Sequence, residues 1–149
     1  MQCEFCNLGK NEKNVLLETK HWKVVLSSNQ SHLGYCIVFL KKHCEDLALL
    51  KNDEQQDFFG IVEKLESALK KSFNATMFNW ACLMNNAYQN SPPNPHVHWH
   101  FRPRYSSQVN FAGEIFEDKE FGHHYNIDNK KDVSKEIEQK IFNAIKQNL

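Results

Sequence analysis

No sign of charge predominates in this chain: 18 basic and 18 acidic side chains leave a formal net charge of zero, with its histidines counted as neutral. A neutral chain lacks the basic footprint of a protein that rides on a nucleic-acid backbone or an anionic membrane. No stretch approaches the ~18 consecutive apolar residues of a bilayer span. The opening residues, MQCEFCNLGKNEK, lack the basic-then-apolar pattern of a secretory signal. A cytoplasmic protein, without nucleic-acid or membrane partners, is the expectation. Cysteine is scarce and odd in number: Cys3, Cys6, Cys36, Cys44 and Cys82. In a reducing compartment that argues against a disulfide framework. Cys36 and Cys82 sit in apolar runs and read as small buried hydrophobes. Internal repeats and low-complexity segments are absent too.

What is present suits one α+β domain over residues 1–149, with 41% hydrophobic and 24% charged residues. A chain of this length buries roughly 68–70% of its unfolded surface and needs no covalent staples. HWKVVL (21–26) and YCIVFL (35–40) are rich in β-branched and aromatic residues, which predicts an antiparallel strand pair across a polar turn ending at Gly34. Phe58, Ile61, Val62, Leu65 and Leu69 recur at helical spacing, which predicts a helix over 53–72, with Asn52 as N-cap and Gln55 completing a capping box. TMFNWACLM (76–84) reads as a buried strand and HVHWHFR (96–102) as the next. The segment 105–129 reads as irregular. A last helix is expected over about 133–147, with Asp132 as N-cap. Strands, helix, strands, helix describe an antiparallel sheet with two main helices packed on it.

The chemistry concentrates in NPHVHWHFRPRY (94–105). Strand alternation puts His96, His98, His100 and Arg102 on one face and Val97, Trp99 and Phe101 on the other. A row of imidazoles can bind a metal. It can instead do nucleophilic and acid–base work on a phosphate, a neutral ring attacking while a protonated neighbour stabilises the charge or protonates the leaving oxygen. Three histidines can also be structural, although strict alternation after a loop containing Pro92, Pro93 and Pro95 disfavours that reading.

HVHWHF resembles the signature of the histidine triad (HIT) nucleotide-binding family, in which histidine and an apolar residue alternate three times. CEFC (3–6) is similar to the CxxC that opens many members. GYCIVFLKKHCEDL (34–47) is similar to the family strand that ends in Lys-Lys-His. FEDKEFGHHY (116–125) resembles branches of the diadenosine-tetraphosphate-hydrolase type. The resemblance implies a HIT-like fold, a homodimer, and cleavage at the α-phosphate of a dinucleoside polyphosphate or nucleoside phosphoramidate. His98 would be the nucleophile, carrying a covalent nucleotidyl intermediate, and His100 would contact the phosphate oxygens. A nucleotide-binding module with little turnover, or a metal-dependent enzyme using the triad as ligands, are the alternatives. There is no GxxxxGK[ST] loop, and no magnesium requirement follows from the motifs.

The resemblance also implies a structural zinc. In some members the first triad histidine supports the active site by hydrogen bonding. Zinc-containing members instead complete a metal site with two cysteines, an upstream histidine and that first triad histidine, which here are Cys3, Cys6, His43 and His96. Two thiolates and two imidazoles form a closed tetrahedral set with no open position for water. Other family features are altered. The ribose-binding Asp or Asn after the second strand falls near Ser27, with Asn29 close by. Asn85 stands where members carry an amide that touches the nucleotide. The Gly-Gln-Ser/Thr stretch before the triad is replaced by SPPN. Arg104, following Pro103, is placed near the phosphates.

Overall fold

The computed structural model describes residues 3–8 and 14–149; residues 1, 2 and 9–13, within the stretch read for a signal, lie outside the described part. Five strands form one antiparallel sheet in the order β1-β2-β3-β5-β4. They are β1 (Val15–Glu18), β2 (Trp22–Leu26), β3 (Cys36–Leu40), β4 (Met77–Ala81) and β5 (His98–Arg104). A short helix α1 (Glu4–Leu8) precedes them, α2 (Asn52–Phe73) connects β3 to β4, and α3 (Lys135–Lys146) follows a separate hairpin of β6 (Val109–Phe111) and β7 (Glu114–Phe116).

Alternation explains which face is covered. Cys36, Val38 and Leu40 of β3 and Val24 and Leu26 of β2 are buried together with Phe58, Ile61, Leu65 and Leu69 of α2 and Ile141 and Ile145 of α3. Each such side chain removed from water contributes about 1.5–3 kcal/mol. On β5, Phe101 is fully buried on that side and Trp99 stacks on Phe58 at 4.8 Å between ring centroids. The helices thus cover one face, and the opposite face of β3 and β5 is left to the histidines.

Several expected boundaries move. The cap of α2 is Lys51, not Asn52. The Glu54 carboxylate accepts the Lys51 N–H at 2.8 Å, and Gln55 donates instead to the Leu50 carbonyl. A carboxylate at that position also meets the positive end of the helix dipole. The far end of α2 carries Lys70 and Lys71 and stops at Asn74 in the left-handed conformation. Ser134, not Asp132, caps α3, its hydroxyl accepting from the Ile137 N–H. β5 begins at His98 rather than His96, because the Val97 N–H leaves the ladder for the Cys44 carbonyl at 2.8 Å. β4 is half-buried rather than fully buried, because it is a sheet edge. β1, β6 and β7 are too short to stand out in the sequence.

Candidate functional site

β5 is the axis of the site. Its register sets Phe39 beside His98, and Ile37 and Ala81 on either side of His100. Continuing that register by one residue brings Tyr35 next to Arg102.

Hydrogen bonds fix the proton positions ring by ring. His98 Nδ1 lies 2.8 Å from the His96 carbonyl oxygen, which can only accept, so the His98 proton is on Nδ1 and Nε2 carries a bare lone pair. His98 Nε2 and His100 Nε2 are 3.2 Å apart, so the proton between them belongs to His100. A backbone hydrogen bond to Leu83 also engages the His100 ring. His100 Nδ1 is then an acceptor, and the Tyr35 hydroxyl donates to it at 2.6 Å.

Both rings are neutral at neutral pH. Burial pushes the pKa of His98 below the usual 6.5, against an upward pull from the His96 carbonyl and Glu4. Burial, followed by the neighbouring His98 and Arg102, pushes His100 down to about 4. A neutral imidazole with a bare Nε2 is a competent nucleophile.

The rings open into a cavity of about 480 Å³ lined by Phe5, Ile37, Leu83, Asn86 and Asn90 among others. That size suits a small-molecule ligand. Phe5 of α1 stacks on His98 with ring centroids 4.1 Å apart. The signal for Phe5 in the sequence is its place between the two cysteines of CEFC.

Beside the cavity lies the second cluster. Cys3 Sγ is 3.2 Å from His96 Nδ1, and Cys6 Sγ is 3.6 Å from His43 Nδ1 and 3.7 Å from His96 Nδ1. The four ligand atoms of Cys3, Cys6, His43 and His96 lie within 4.8 Å of one another. Ligand atoms around a tetrahedral zinc, with Zn–S about 2.3 Å and Zn–N about 2.0–2.1 Å, are roughly 3.3–3.8 Å apart. The outer nitrogens suit a metal too. His96 Nε2–H donates to the Leu40 carbonyl at 2.7 Å, and His43 Nε2 is 3.6 Å from Glu45 Oε1. The His96 ring therefore turns its Nδ1 lone pair toward the thiols, the arrangement outer partners impose on metal-ligating histidines, and His43 Nδ1 faces Cys6. Both nitrogens of His96 are engaged in these contacts, although the residue also borders the cavity.

The remaining expected residues lie apart from the histidines. Arg104 is a correction: it is fully buried, and its N–H groups go to Asp118, Asn79 and the carbonyls of His123 and Glu120. All five donors are used, which leaves none for a phosphate. Ser27 and Asn29 belong to the turn before β3. The Ser27 hydroxyl accepts from the Asn29 N–H, and Asn29 accepts from Ser31 and Lys131 while donating to Asn129. Neither lines the cavity over the histidines. Asn85 is exposed at the start of a 3-10 turn, and Asn86, Asn90 and Asn94 line the cavity in its place.

The HIT domain model matches residues 9–107. No curated protein sequence matches the chain. Among solved structures, a hypothetical histidine triad nucleotide-binding protein from Sulfolobus tokodaii superposes with a TM-score of 0.72 at 18% identity, covering 98% of this chain and 91% of that one. A zinc-bound histidine triad family protein from Mycobacterium smegmatis gives 0.65 at 18% identity, covering 99% and 95%. A HIT family protein from Bacillus anthracis gives 0.59 at 28% identity, covering 70% and 74%.

Proposed function

This chain belongs to the HIT domain family, and on that premise we propose that it is a nucleotide hydrolase or nucleotidyl transferase acting at an α-phosphate through His98. The observation that carries this reading is the His96 carbonyl holding His98 Nδ1–H, which leaves Nε2 unprotonated beside the His100 N–H at the cavity. His98 Nε2 attacks the α-phosphorus. A P–N bond forms as the bond to the leaving oxygen, or nitrogen, breaks with its electron pair. The His100 Nε2–H meets charge on a phosphoryl oxygen. Water then attacks the phosphorus of the adduct, releases the nucleotide and returns His98 with Nε2 bare. A nitrogen nucleophile divides one hard displacement into two easier ones. Dinucleoside polyphosphates of the diadenosine-tetraphosphate kind and nucleoside phosphoramidates are the substrate classes.

Cys3, Cys6, His43 and His96 would hold a structural zinc, a reading supported by their spacing and tautomers. Zinc would supply a cross-link between the N-terminal arm, the residues after β3 and the start of β5. Among the described residues no other group of three or more His, Cys, Asp or Glu is gathered for a metal, which disfavours a catalytic metal held by the triad.

A homodimer is also proposed. β4 is the half-buried last strand of the sheet, and beside it an apolar groove is lined by Leu47, Leu50, Phe58, Phe59, Trp80 and Trp99. Phe59 and Leu49 are 69% and 68% exposed. A sheet edge next to such a patch is what a second copy would cover.

The deciding experiment mixes the protein with diadenosine tetraphosphate or an adenosine phosphoramidate, quenches early and measures intact mass. A transient adenylyl adduct that is lost in His98→Ala is expected. Binding without adduct or product would leave the module without turnover, and activity abolished by chelator without adduct would favour the metal-dependent alternative.

A further inference from the structure

We propose that Tyr35 is a positioning residue for the reaction: its hydroxyl donates to His100 Nδ1 and holds that ring in the tautomer whose Nε2–H faces His98 and the cavity. The inference rests on the reading of His98 as nucleophile and adds a residue to it. Each step follows from a hydrogen bond with one possible direction. A carbonyl fixes the proton of His98 on Nδ1, the contact between the two Nε2 atoms fixes the proton of His100 on Nε2, and the phenol is left as the donor to His100 Nδ1.

The phenol is held in place from several sides. Tyr35 is only 5% exposed. The Arg102 guanidinium lies over its ring at 3.9 Å, and that guanidinium also lies 4.8 Å from the Tyr125 ring. On the backbone, the Tyr35 carbonyl accepts from Ser27 N–H and its N–H donates to the His32 carbonyl. Gly34 feeds the chain into this position with φ +81°, where a Cβ would stand 2.3 Å from Leu69 Cδ1 of α2. Burial raises the phenol's pKa above its usual value, so it remains a donor through the neutral range.

Without the hydroxyl, His100 can shift its proton to Nδ1. Two bare Nε2 lone pairs would then oppose each other, and no imidazole N–H would face the phosphoryl oxygen. The damage falls on the transition state and not on substrate binding.

The test uses full-length protein with 15N-labelled histidine, as Tyr35 wild type and as Tyr35→Phe, which removes one oxygen and keeps the ring under Arg102. Long-range proton–nitrogen spectra read the His100 tautomer, and adduct formation from diadenosine tetraphosphate is timed. The expected result is a protonated Nε2 in wild type and a mixture or reversal in Tyr35→Phe. With it goes a roughly ten-fold fall in kcat, the loss of about one hydrogen bond, at unchanged KM and with Tm lowered by no more than the few degrees that one buried hydrogen bond accounts for. An unchanged His100 tautomer in Tyr35→Phe overturns the proposal, as does a loss seen only in KM or Tm. If wild type forms no adduct with any nucleotide, the reading of His98 fails, and the spectra still decide the Tyr35–His100 contact.

Discussion

The His96 carbonyl accepts the His98 Nδ1–H at 2.8 Å, while the ring of His96 meets the Cys3 thiol at 3.2 Å. One residue therefore connects the metal-type cluster to the proposed nucleophile, its backbone serving one and its side chain the other. Phe5, between the two cysteines, makes a second connection by lying on His98.

Metal content and stability should consequently move together. Purified protein is expected to carry about one zinc per chain, and Cys3→Ser to lose it. The cost should be several kcal/mol in stability, since ligands gathered only in the folded state convert binding energy into folding energy. KM should rise as the Phe5 wall loosens. Elemental analysis with thermal unfolding reads both, and metal-free wild type of undiminished stability would refute the zinc reading.

The two triad residues at the cavity should fail differently. His98→Ala removes the nucleophile and should abolish adduct and turnover together, by at least about 10³-fold. His100→Ala keeps the nucleophile and removes one donor to the phosphoryl oxygen, for a loss on the order of 10²–10³ in kcat. Single-turnover mass measurement separates them: equal adduct yields in wild type and His98→Ala would remove the covalent mechanism.

Much of this arrangement was legible in the chain. Strict alternation in HVHWHF put His98 and His100 on the face opposite Trp99 and Phe101, as found. The spacing of Phe58, Ile61, Leu65 and Leu69 located the buried stripe of α2. Periodicity could not show that Val97 bonds to Cys44 outside the sheet, which starts β5 two residues late and turns the His96 ring to Cys3. Nor could it distinguish Arg102 from Arg104, which are both basic and both on β5. Tyr35 read simply as a strand aromatic, because its role depends on the register between β3 and β5. That pairing is long-range, and local sequence does not encode it.

Arg104 offers a direct contrast between a buried structural cation and a phosphate ligand. It pairs with Asp118, and both side chains are under 4% exposed. Arg104→Met should destabilise by about 3–5 kcal/mol, because the Asp118 carboxylate is left buried and unpaired. Asp118→Asn introduced into Arg104→Met should recover part of that loss. Nucleotide affinity, measured well below the unfolding midpoint, should stay within about two-fold. A large loss of affinity at intact fold would return Arg104 to the phosphates.

The exposed groove beside β4 predicts self-association. Phe59→Glu places a charge at the centre of the apolar patch and should convert a dimer to monomers in sedimentation, with little change in monomer fold, since Phe59 is 69% exposed. A wild type that is monomeric at micromolar concentration would exclude the dimer.

Acid should destabilise the protein in two stages of known sign. His32 is 4% exposed, and its Nε2 lies 4.0 Å from Asp118. Burial lowers its pKa from 6.5 to about 4, against the pull of Asp118 and together with Arg102 and Arg104. The unfolded chain therefore takes up this proton first. Stability should be level above pH 6.5, fall as pH drops from 6.5 toward 4, and level again once both states are protonated. His32 contributes on the order of 2 kcal/mol of that fall by pH 5. His100, also lowered to about 4, acts in the same window. Asp118 follows below: burial raises its carboxyl, but Arg104 more than offsets this and holds it beneath the usual 3.8. Its contribution is present above 3.8 and is lost as pH falls through the depressed value. Urea midpoints between pH 8 and pH 3 read both stages. His32→Gln should reduce the slope between 6.5 and 4, to which the lowered His96, His98 and His100 also contribute, and leave the lower stage in place, whereas an unchanged slope would show that His32 takes up its proton in the folded protein at the same pH as in the unfolded chain.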